Sequence, residues 1–146
     1  MAVPESKWVQ TGKLKLKFRE KKMDSQKLMT QYWKYIAEQD AEKLRAFFHE
    51  NAYIRWHCTN EHFTVSEFLT ANCEYPGKWN GEVERIEQLG DMIITVTHVW
   101  SEEMSSHAVS FFKMEQDKIV SIDEYWGDDG EAPQWRLDKQ IGSKIY

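Results

Sequence analysis

In WNGEVERIEQLGDMIITVTHVWSEEMSSHAVSFFKMEQDKIVSIDEYWG, residues 79–127, polar and apolar side chains alternate over four successive stretches. Alternation with a period of two is typical of β-strands that bury one face. The breaks between the stretches are short and fit hairpin turns: Gly90-Asp91, Glu102-Glu103 and Gln116-Asp117. The segment therefore predicts four consecutive antiparallel strands.

A helical pattern precedes these strands. Apolar residues recur on one helical face of the segment 25–38: Leu28, Met29, Tyr32, Trp33 and Ile36. Asp40 can cap a second short helix, and AYIRWH at 52–57 is typical of a short strand. In FTVSEF, Thr64 and Glu67 match a capping box, which predicts that a third helix begins there.

The order of elements predicts an α+β protein, αα-β-α-ββββ, in which three helices pack on the concave side of a cone-like curved antiparallel sheet. We divide the chain into a basic N-terminal extension (1–22), a folded domain (23–129) and a C-terminal tail (130–146). KLKLKF at 13–18 fits either an edge strand or a flexible basic arm. In the tail, Trp135 is available to cover an exposed sheet edge or a cavity mouth.

Charge and composition narrow the classes of function. The 146 residues fit one domain, and seven tryptophans raise the aromatic share to 14%. Residues 1–22 contain seven Lys/Arg and two Asp/Glu, whereas residues 23–146 contain twelve Lys/Arg and twenty-two Asp/Glu. Because phosphate binding depends on clustered lysine and arginine, the excess of acidic residues in 23–146 argues against a nucleic-acid partner.

Other signals favour a cytoplasmic protein. A run of about 18 apolar residues is absent, which argues against a membrane partner, and the N-terminus lacks the apolar region of a secretory signal. We expect Cys58 and Cys73 to be free thiols in a reducing compartment. The spacing of His57 and His62 fits no strong zinc pattern, so we expect no metal and no other cofactor.

The chain resembles the nuclear transport factor 2-like superfamily, in its SnoaL-like and ketosteroid-isomerase-like branch. Three segments carry the resemblance over about residues 24–129: QYWKYIAEQDAEKLRAFFHENAYIRWH (31–57), FTVSEFL (63–69) and DKIVSIDEYWGDD (117–129). The resemblance implies a cone around a pocket for a small apolar molecule, and a homodimer joined through sheet faces. It also implies isomerase, cyclase, dehydratase or epoxide hydrolase chemistry in some members, while many others have no known reaction.

Glu124 is the first candidate catalytic residue. Alternation places Ile122, Glu124 and Trp126 on one strand face and Asp123 on the other. EYW resembles the acid-Tyr-aromatic closing strand of the superfamily's epoxide hydrolases, so we expect Glu124 to face the cavity. A carboxylate among apolar walls has a raised pKa, as proton transfer requires. The alternative is a structural Glu124 that pairs with Arg55 or with the backbone.

His98 is the second candidate catalytic residue. The epoxide-hydrolase resemblance implies an Arg-x-Asp pair at the positions of Val96 and His98, so that catalytic set is not intact here. His98 shares a strand face with Ile94, Val96 and Trp100. It is a candidate to transfer protons or to donate a hydrogen bond to a ligand. The alternative is a core histidine whose hydrogen bonds are made within the protein. The resemblance to ketosteroid isomerases suggests a partial set of Tyr32, Tyr53 and Glu124, without a base that we can place.

The remaining candidates are substrate-binding residues. His57 ends the first strand and could form a polar patch with Glu124 and His98. Asn72 lies on the apolar stripe of the third helix, where its amide contacts either a ligand or the backbone. Aromatic side chains could wall the pocket, or belong to the core: Tyr32, Trp56, Trp100 and Trp126.

Two functions follow from these residues. The first is a small-molecule protein with cofactor-independent acid/base chemistry of isomerase, dehydratase or hydrolase type. The second is a ligand-binding or protein-interaction scaffold without catalysis.

Overall fold

A computed structural model describes residues 24–146. The basic extension, with its predicted edge strand or arm, lies outside the described residues. The described part contains four helices: α1 (Ser25–Glu38), α2 (Ala41–Arg45), α3 (Val65–Cys73) and α4 (Gln134–Asp138). It contains six strands: β1 (Phe48–Trp56), β2 (Glu61–Thr64), β3 (Asn80–Leu89), β4 (Met92–Trp100), β5 (Ser105–Glu115) and β6 (Lys118–Asp128).

The six strands form one curved, unclosed sheet in the order β2-β1-β6-β5-β4-β3. The antiparallel meander β3–β6 is confirmed, with the turns where the alternation breaks. The α+β class and the helices on the concave side are confirmed as well. The prediction of a wholly antiparallel sheet is wrong at one place, because β1 pairs with β6 in parallel. The long connection from β1 to β6 imposes no hairpin geometry, so either orientation is accessible to this pair.

The aromatic side of α1 packs on the concave face of the sheet. Tyr32 and Trp33 are 0% and 2% exposed, and the Tyr32 ring meets Phe112 of β5 edge-on at 5.2 Å. Trp33 Nε1 donates a hydrogen bond of 3.1 Å to Thr95 Oγ1 on β4. Burying each ring stabilises the fold by roughly 3 kcal/mol, and the hydrogen bond fixes the rotation of α1 over the meander.

Local signals determined the helix starts. Helix α1 has the predicted bounds, and Asp24 accepts a hydrogen bond of 3.1 Å from Lys27 N at its start. Asp40 caps α2 in the same way through Lys43 N. The capping box before α3 is present: Thr64 N donates to Glu67 Oε1 at 2.9 Å, and Glu67 N donates to Thr64 Oγ1 at 3.2 Å.

Two short elements were not predicted. Strand β2 has only four residues and no apolar alternation, and its pairing with β1 orders it. Helix α4 begins after Pro133 in the tail and buries none of its residues. Trp135 is 57% exposed and does not line the cavity. It contacts the neighbouring Arg136 guanidinium instead.

The capping box predicts the effect of one substitution. Thr64→Ala removes the side-chain acceptor for Glu67 N, so we expect the free energy of unfolding to fall by about 1 kcal/mol. Thr70→Ala, an exposed position inside the same helix, is the matched control and should change it by less than about 0.5 kcal/mol. Urea denaturation measures both. Equal losses in the two variants would contradict the capping role of Thr64.

Candidate functional site

A cavity of about 330 Å³ opens between the helices and the concave face of the sheet. Its walls are mainly apolar and aromatic: Ile36, Trp56, Trp79, Val99, Met104 and Trp126. Among its lining residues Asp128 is the one charged group, and neither lysine nor arginine takes part. A pocket of this size and character suits a small neutral molecule with a large apolar surface.

A wider surface groove of about 1060 Å³ adjoins the cavity. It is formed by the loop 74–79 and the β4–β5 hairpin, and it shares four lining residues with the cavity: Gln39, Tyr75, Trp79 and Met104. Tyr75 OH donates to Met104 Sδ at 3.5 Å, which links the loop to the hairpin. The groove and the cavity therefore meet at these four residues.

Amides connect the two helices at the cavity wall. Asn72 Nδ2 donates a hydrogen bond of 3.3 Å to the carbonyl oxygen of Ile36 at the end of α1. Gln39 Nε2 donates to the carbonyl oxygens of Asn72 at 2.9 Å and of Tyr75 at 2.6 Å. Asn72 thus lines the cavity as predicted, but its amide nitrogen already holds α3 against α1. Sequence reasoning missed Gln39, whose left-handed backbone (φ 56°) ends α1 and turns its side chain toward α3.

Asp128 is a second lining residue that sequence reasoning missed. Its Oδ1 accepts a hydrogen bond of 2.9 Å from Ser106 Oγ, and both residues lie at the cavity. The signal was available, because Asp128 continues the alternating face of Glu124 and Trp126 by one more step.

Glu124 is buried in the middle of β6, with 2% of its surface exposed. As alternation predicts, its side chain points to the concave side, while Asp123 points outward and forms an ion pair with Arg55, whose Nε lies 3.0 Å from Asp123 Oδ1. Arg55 is therefore not the partner of Glu124. Burial raises the pKa of Glu124 to about 7, and the neighbouring Ser110 hydroxyl and Trp56 indole partly offset this.

The polar atoms near Glu124 are not hydrogen-bonded to one another in normal geometry. Glu124 Oε2, Ser110 Oγ and Trp56 Nε1 are buried and have no partner. The same holds for Thr97 Oγ1 and Trp126 Nε1. Each unsatisfied buried group costs about 1–3 kcal/mol, so this concentration of polar atoms sets the surroundings of Glu124 apart from the apolar core.

Tyr32 borders this region from α1. Burial raises the pKa of its phenol well above the usual range, and the charges of Glu124 and Cys73 raise it further. The phenol is therefore protonated at all ordinary pH values, and its OH has no hydrogen-bond partner. Its ring packs in the core against Trp33 and Phe112 and is absent from the cavity lining.

Glu124 does not itself line the open cavity. Its neighbours do: Trp56 is its register partner on β1, and Trp126 follows two residues later on β6. The two indole rings are 6.5 Å apart and lie nearly perpendicular. Of the predicted site residues, Trp56, Trp126 and Asn72 line the cavity, and Glu124 lies beside the two tryptophans without lining it.

His98 and Trp100 lie on the convex face of the sheet, opposite Glu124. Thr95 and Thr97, which alternate with them on β4, are 0% exposed on the concave side. The grouping of His98 with Glu124 is therefore wrong, and Trp100 does not wall the cavity. The error has a physical cause: both faces of β4 are apolar enough to be buried, and alternation alone cannot say which is inside.

His57 is also on the convex side. Its Nε2 donates to Asp123 Oδ1 at 2.7 Å, and its ring stacks on Tyr125 at 4.6 Å. Only its backbone reaches Glu124, since His57 N donates to the Glu124 carbonyl oxygen at 3.0 Å. The three-residue patch of His57, His98 and Glu124 therefore does not form.

The convex face carries a network of histidines and acids instead. Glu84 lies at a β-bulge of β3 and reaches His107 Nε2 at 2.8 Å, while His107 Nδ1 contacts Asp129 at 2.5 Å. His98 stacks on His107 at 4.7 Å. A hydrogen bond from His107 to Asp129 raises the pKa of the imidazole, because both ring nitrogens then face carboxylates. Hydrogen bonds chiefly from Ser105 lower the pKa of Asp129.

Residues 24–146 hold no group of three or more His, Cys, Asp or Glu side chains placed to bind a metal ion. Within the same residues, no helix combines the length and apolar character that crossing a membrane requires. Cys58 and Cys73 are both free thiols, and burial raises the pKa of Cys73.

The raised pKa of Glu124 predicts a pH-dependent stability. In the unfolded chain the carboxyl ionises at about pH 4.5, and in the folded chain at about 7. The folded state therefore binds the proton more tightly, so wild-type stability falls as the pH rises through this window. Glu124→Gln cannot ionise, and its free energy of unfolding relative to the wild type should rise by roughly 3 kcal/mol between pH 4.5 and 8.

Urea denaturation across this pH range measures the difference. Glu102→Gln, an exposed carboxylate in the β4–β5 hairpin, is the matched control and should show no such trend. A pH-independent difference between Glu124→Gln and the wild type would mean that folding does not raise the pKa of Glu124.

The raised pKa of His107 predicts a smaller trend in the same direction. Its folded-state pKa is raised, so its stabilisation is complete below about pH 6.5 and is lost as the pH rises through the folded value. His107→Gln should destabilise the protein more at pH 5.5 than at pH 8.5, by less than about 1 kcal/mol because the site is screened. Thermal unfolding at both pH values measures this. Asp129→Asn should reproduce most of the pH-dependent loss of stability seen with His107→Gln.

Neither a protein-family model nor a curated protein matches the sequence. Solved structures do match in fold. A proposed ketosteroid isomerase from Kribbella flavida is 20% identical, with a TM-score of 0.70, over 84% of this chain and 90% of that chain. A nuclear transport factor 2-like protein of unknown function from Burkholderia xenovorans is 23% identical, with a TM-score of 0.69, over 88% of this chain and 98% of that chain.

A proposed SnoaL-like polyketide cyclase from Shewanella denitrificans is 12% identical, with a TM-score of 0.60, over 82% of this chain and 98% of that chain. Identities this low establish the fold and leave the function open. The chain has the nuclear transport factor 2-like fold, and its structural neighbours come from the ketosteroid-isomerase-like and SnoaL-like branch that the sequence resembles.

Proposed function

We propose that this protein binds a small apolar molecule in the cavity and performs cofactor-independent acid/base chemistry on it, with Glu124 as the proton-transfer group. One observation carries the proposal. A buried carboxyl with a pKa of about 7, without a charged partner among the described residues, lies directly behind the aromatic wall of a cavity. Structural carboxylates are normally paired or solvated, because an isolated buried charge is costly.

The pKa suits proton transfer in both directions. Near neutral pH the acid and carboxylate forms of Glu124 are both populated, so one side chain can remove a proton and return it. Isomerisation and dehydration need such a step, as does addition of water. The proposed ketosteroid isomerase and polyketide cyclase among the structural neighbours support this class of chemistry.

Other groups in the cavity are suited to orient the substrate. Trp56 and Trp126 offer flat apolar walls, and Asn72 offers an amide oxygen that accepts no hydrogen bond in the described structure. Asp128 is held by Ser106 at the same wall and is the carboxylate that lines the cavity itself. His98 and His57 are not part of this assignment, because both lie across the sheet from the cavity.

A non-catalytic binding protein is the second candidate function. The observation that favours it is the position of Glu124, which stands behind the lining residues rather than among them. A homodimer fits either function. Apolar side chains on the convex face are only partly covered in the single chain, and a second copy could cover them: Ile94, Val96, Val109 and Phe111.

Isotope exchange tests the catalytic proposal without knowledge of the natural substrate. One probe is 1-tetralone in deuterium oxide, which reports proton abstraction next to a carbonyl. The other is styrene oxide in oxygen-18 water, which reports water addition. We expect the protein to accelerate at least one reaction, with an inflection near pH 7, and Glu124→Gln to slow it by a factor of about 100 or more.

Glu102→Gln should keep the wild-type rate, since that carboxylate is exposed in the hairpin. Native mass spectrometry of each variant with the same probes separates binding from chemistry. If the probes bind to the wild type and neither reaction depends on Glu124, the non-catalytic alternative is correct.

A further inference from the structure

The C-terminal tail, residues 130–146, is the part of the described chain that the domain leaves uncovered. Every residue from 127 to 146 is exposed. The described residues include nine exposed large apolar or aromatic side chains, and five of them lie in the tail: Trp135, Leu137, Ile141, Ile145 and Tyr146. Two more, Tyr75 and Met104, line the groove beside the cavity. Exposed apolar surface is thus concentrated in the tail and in the groove, and such patches mark interaction sites.

The tail has a defined local structure although none of its residues is buried. Pro133 precedes α4 with an extended backbone (φ −57°, ψ 145°). At the other end of α4, Ile141 N donates a hydrogen bond of 3.4 Å to the carbonyl oxygen of Arg136. Gln140, whose backbone is left-handed (φ 53°), donates to that of Leu137 at 3.0 Å. These two bonds form a Schellman motif, which ends a helix. Because a helix of five residues is not stable by itself, we expect another surface to stabilise it.

The tail does not occupy the groove of its own chain. None of residues 130–146 lines the groove, and their hydrogen bonds in the described structure join tail residues only to one another. The tail leaves the sheet at Asp129, whose N–H donates to the carbonyl oxygen of Ser105 at 2.9 Å. Asp129 and Trp135 are at most roughly 20 Å apart, because an extended residue adds about 3.3–3.6 Å. Another molecule that covers the tail must therefore lie close to this end of the sheet.

The groove has the size and the chemistry to bind a segment of this kind. Its volume of about 1060 Å³ reaches the upper end of the range for ligand sites, roughly 300–1000 Å³, so it can hold several side chains. Tyr75 and Met104 form a partly apolar wall, in which the phenol donates to Met104 Sδ. Three of the charged lining residues are acidic and one is basic: Glu38, Glu102, Glu103 and Lys78. A segment that combines an aromatic side chain with positive charge complements this lining.

The charges of the tail differ from those of the domain. Residues 24–129 contain nine Lys/Arg and twenty Asp/Glu, whereas the tail contains three Lys/Arg and two Asp/Glu. Two of the positive charges, Arg136 and Lys139, lie within about one helical turn of Trp135. Among the described residues, neither of them forms an ion pair, and Glu103 of the groove forms none either. Tryptophan and arginine often dominate the binding energy at protein interfaces, so this part of the tail is suited to an acidic, partly aromatic groove.

We propose that the tail of one copy of this chain docks in the groove of a second copy. In this arrangement Trp135 packs against Tyr75 and Met104, while Arg136 and Lys139 face the acidic side chains of the groove. Each copy carries both surfaces, so two copies can exchange tails around a twofold axis. This contact surface is separate from the sheet faces that the resemblance to the superfamily implies as a dimer interface. The inference goes beyond the proposed function and depends on neither ligand binding nor proton transfer.

Charge reversals on the two surfaces test the exchange of tails, and the exposure of these residues means that the variants should fold. The tail variant combines Arg136→Glu with Lys139→Glu, and the groove variant combines Glu38→Lys with Glu103→Lys. Sedimentation velocity over a range of protein concentrations measures the dissociation constant of the dimer. We expect each variant alone to dimerise at least about tenfold more weakly than the wild type. An equimolar mixture should recover most of the wild-type affinity, because the reversed tail then meets the reversed groove and the unaltered tail meets the unaltered groove.

Further variants serve as controls. Lys27→Glu combined with Lys43→Glu makes the same change of charge at exposed positions outside the groove, and should change the dissociation constant by less than about threefold. Trp135→Ala should weaken dimerisation at least about tenfold. Leu89→Ala, at a residue that is similarly exposed, should not weaken it. In hydrogen exchange, the tail amides should be protected only at concentrations at which the dimer forms.

Three results would overturn the exchange of tails. The first is a wild-type protein that stays monomeric at all concentrations. The second is a dimer whose dissociation constant is unchanged in the tail and groove variants, which would form through another surface, such as the convex face. The third is protection of the tail at every concentration without recovery in the mixture, which would mean that the tail docks in the groove of its own chain. Recovery in the mixture supports the exchange, because a tail bound to its own chain gains nothing from a second variant.

Discussion

The packing of Tyr32 and Trp33 against the concave face of the sheet is the interaction on which the rest of the structure depends. These two rings hold α1 over the meander, and the hydrogen bond from Trp33 to Thr95 fixes its position. Helix α1 then meets α3 through Asn72 and Gln39, and the space left between them is the cavity. The same layer excludes water from Glu124, which is why its pKa is raised. The packing of α1 on the sheet therefore both stabilises the fold and raises the pKa of Glu124.

The sheet separates two kinds of polar chemistry by alternation. Glu124 and its neighbours are inside and lack charged partners, whereas Asp123 is outside and is shared by Arg55 and His57. Charged pairs on the convex face are screened and contribute little, while one buried carboxyl changes stability by several kcal/mol. Asp123 and Glu124 are adjacent in the sequence, but Asp123 is paired outside the sheet and Glu124 is buried inside it. We therefore assign only Glu124 to the proposed chemistry.

Sequence reasoning succeeded where the signal is local. The helix at 25–38 and the capping box at Thr64 depend on residues within one or two turns of each other, and both are present as predicted. The opposite orientations of Asp123 and Glu124 follow from strand alternation. Sequence reasoning failed where the structure depends on contacts between residues far apart in the chain. On β4, Ile94, Val96 and Trp100 look at least as apolar as Thr95 and Thr97, yet the threonines are inside, where Thr95 accepts the hydrogen bond from Trp33.

The sequence by itself determined the order of the elements, the helix starts, the meander and the presence of an acid on an apolar strand face, because these depend on periodicity and on neighbouring residues. Only the tertiary structure decided which face of each strand is concave, that β1 joins β6 in parallel, and that Asp128 and Gln39 reach the cavity. It alone decided that the indoles of Trp56 and Trp126 lack partners beside Glu124. Those properties depend on contacts between residues far apart in the chain, and periodicity in one segment carries no information about its distant partners.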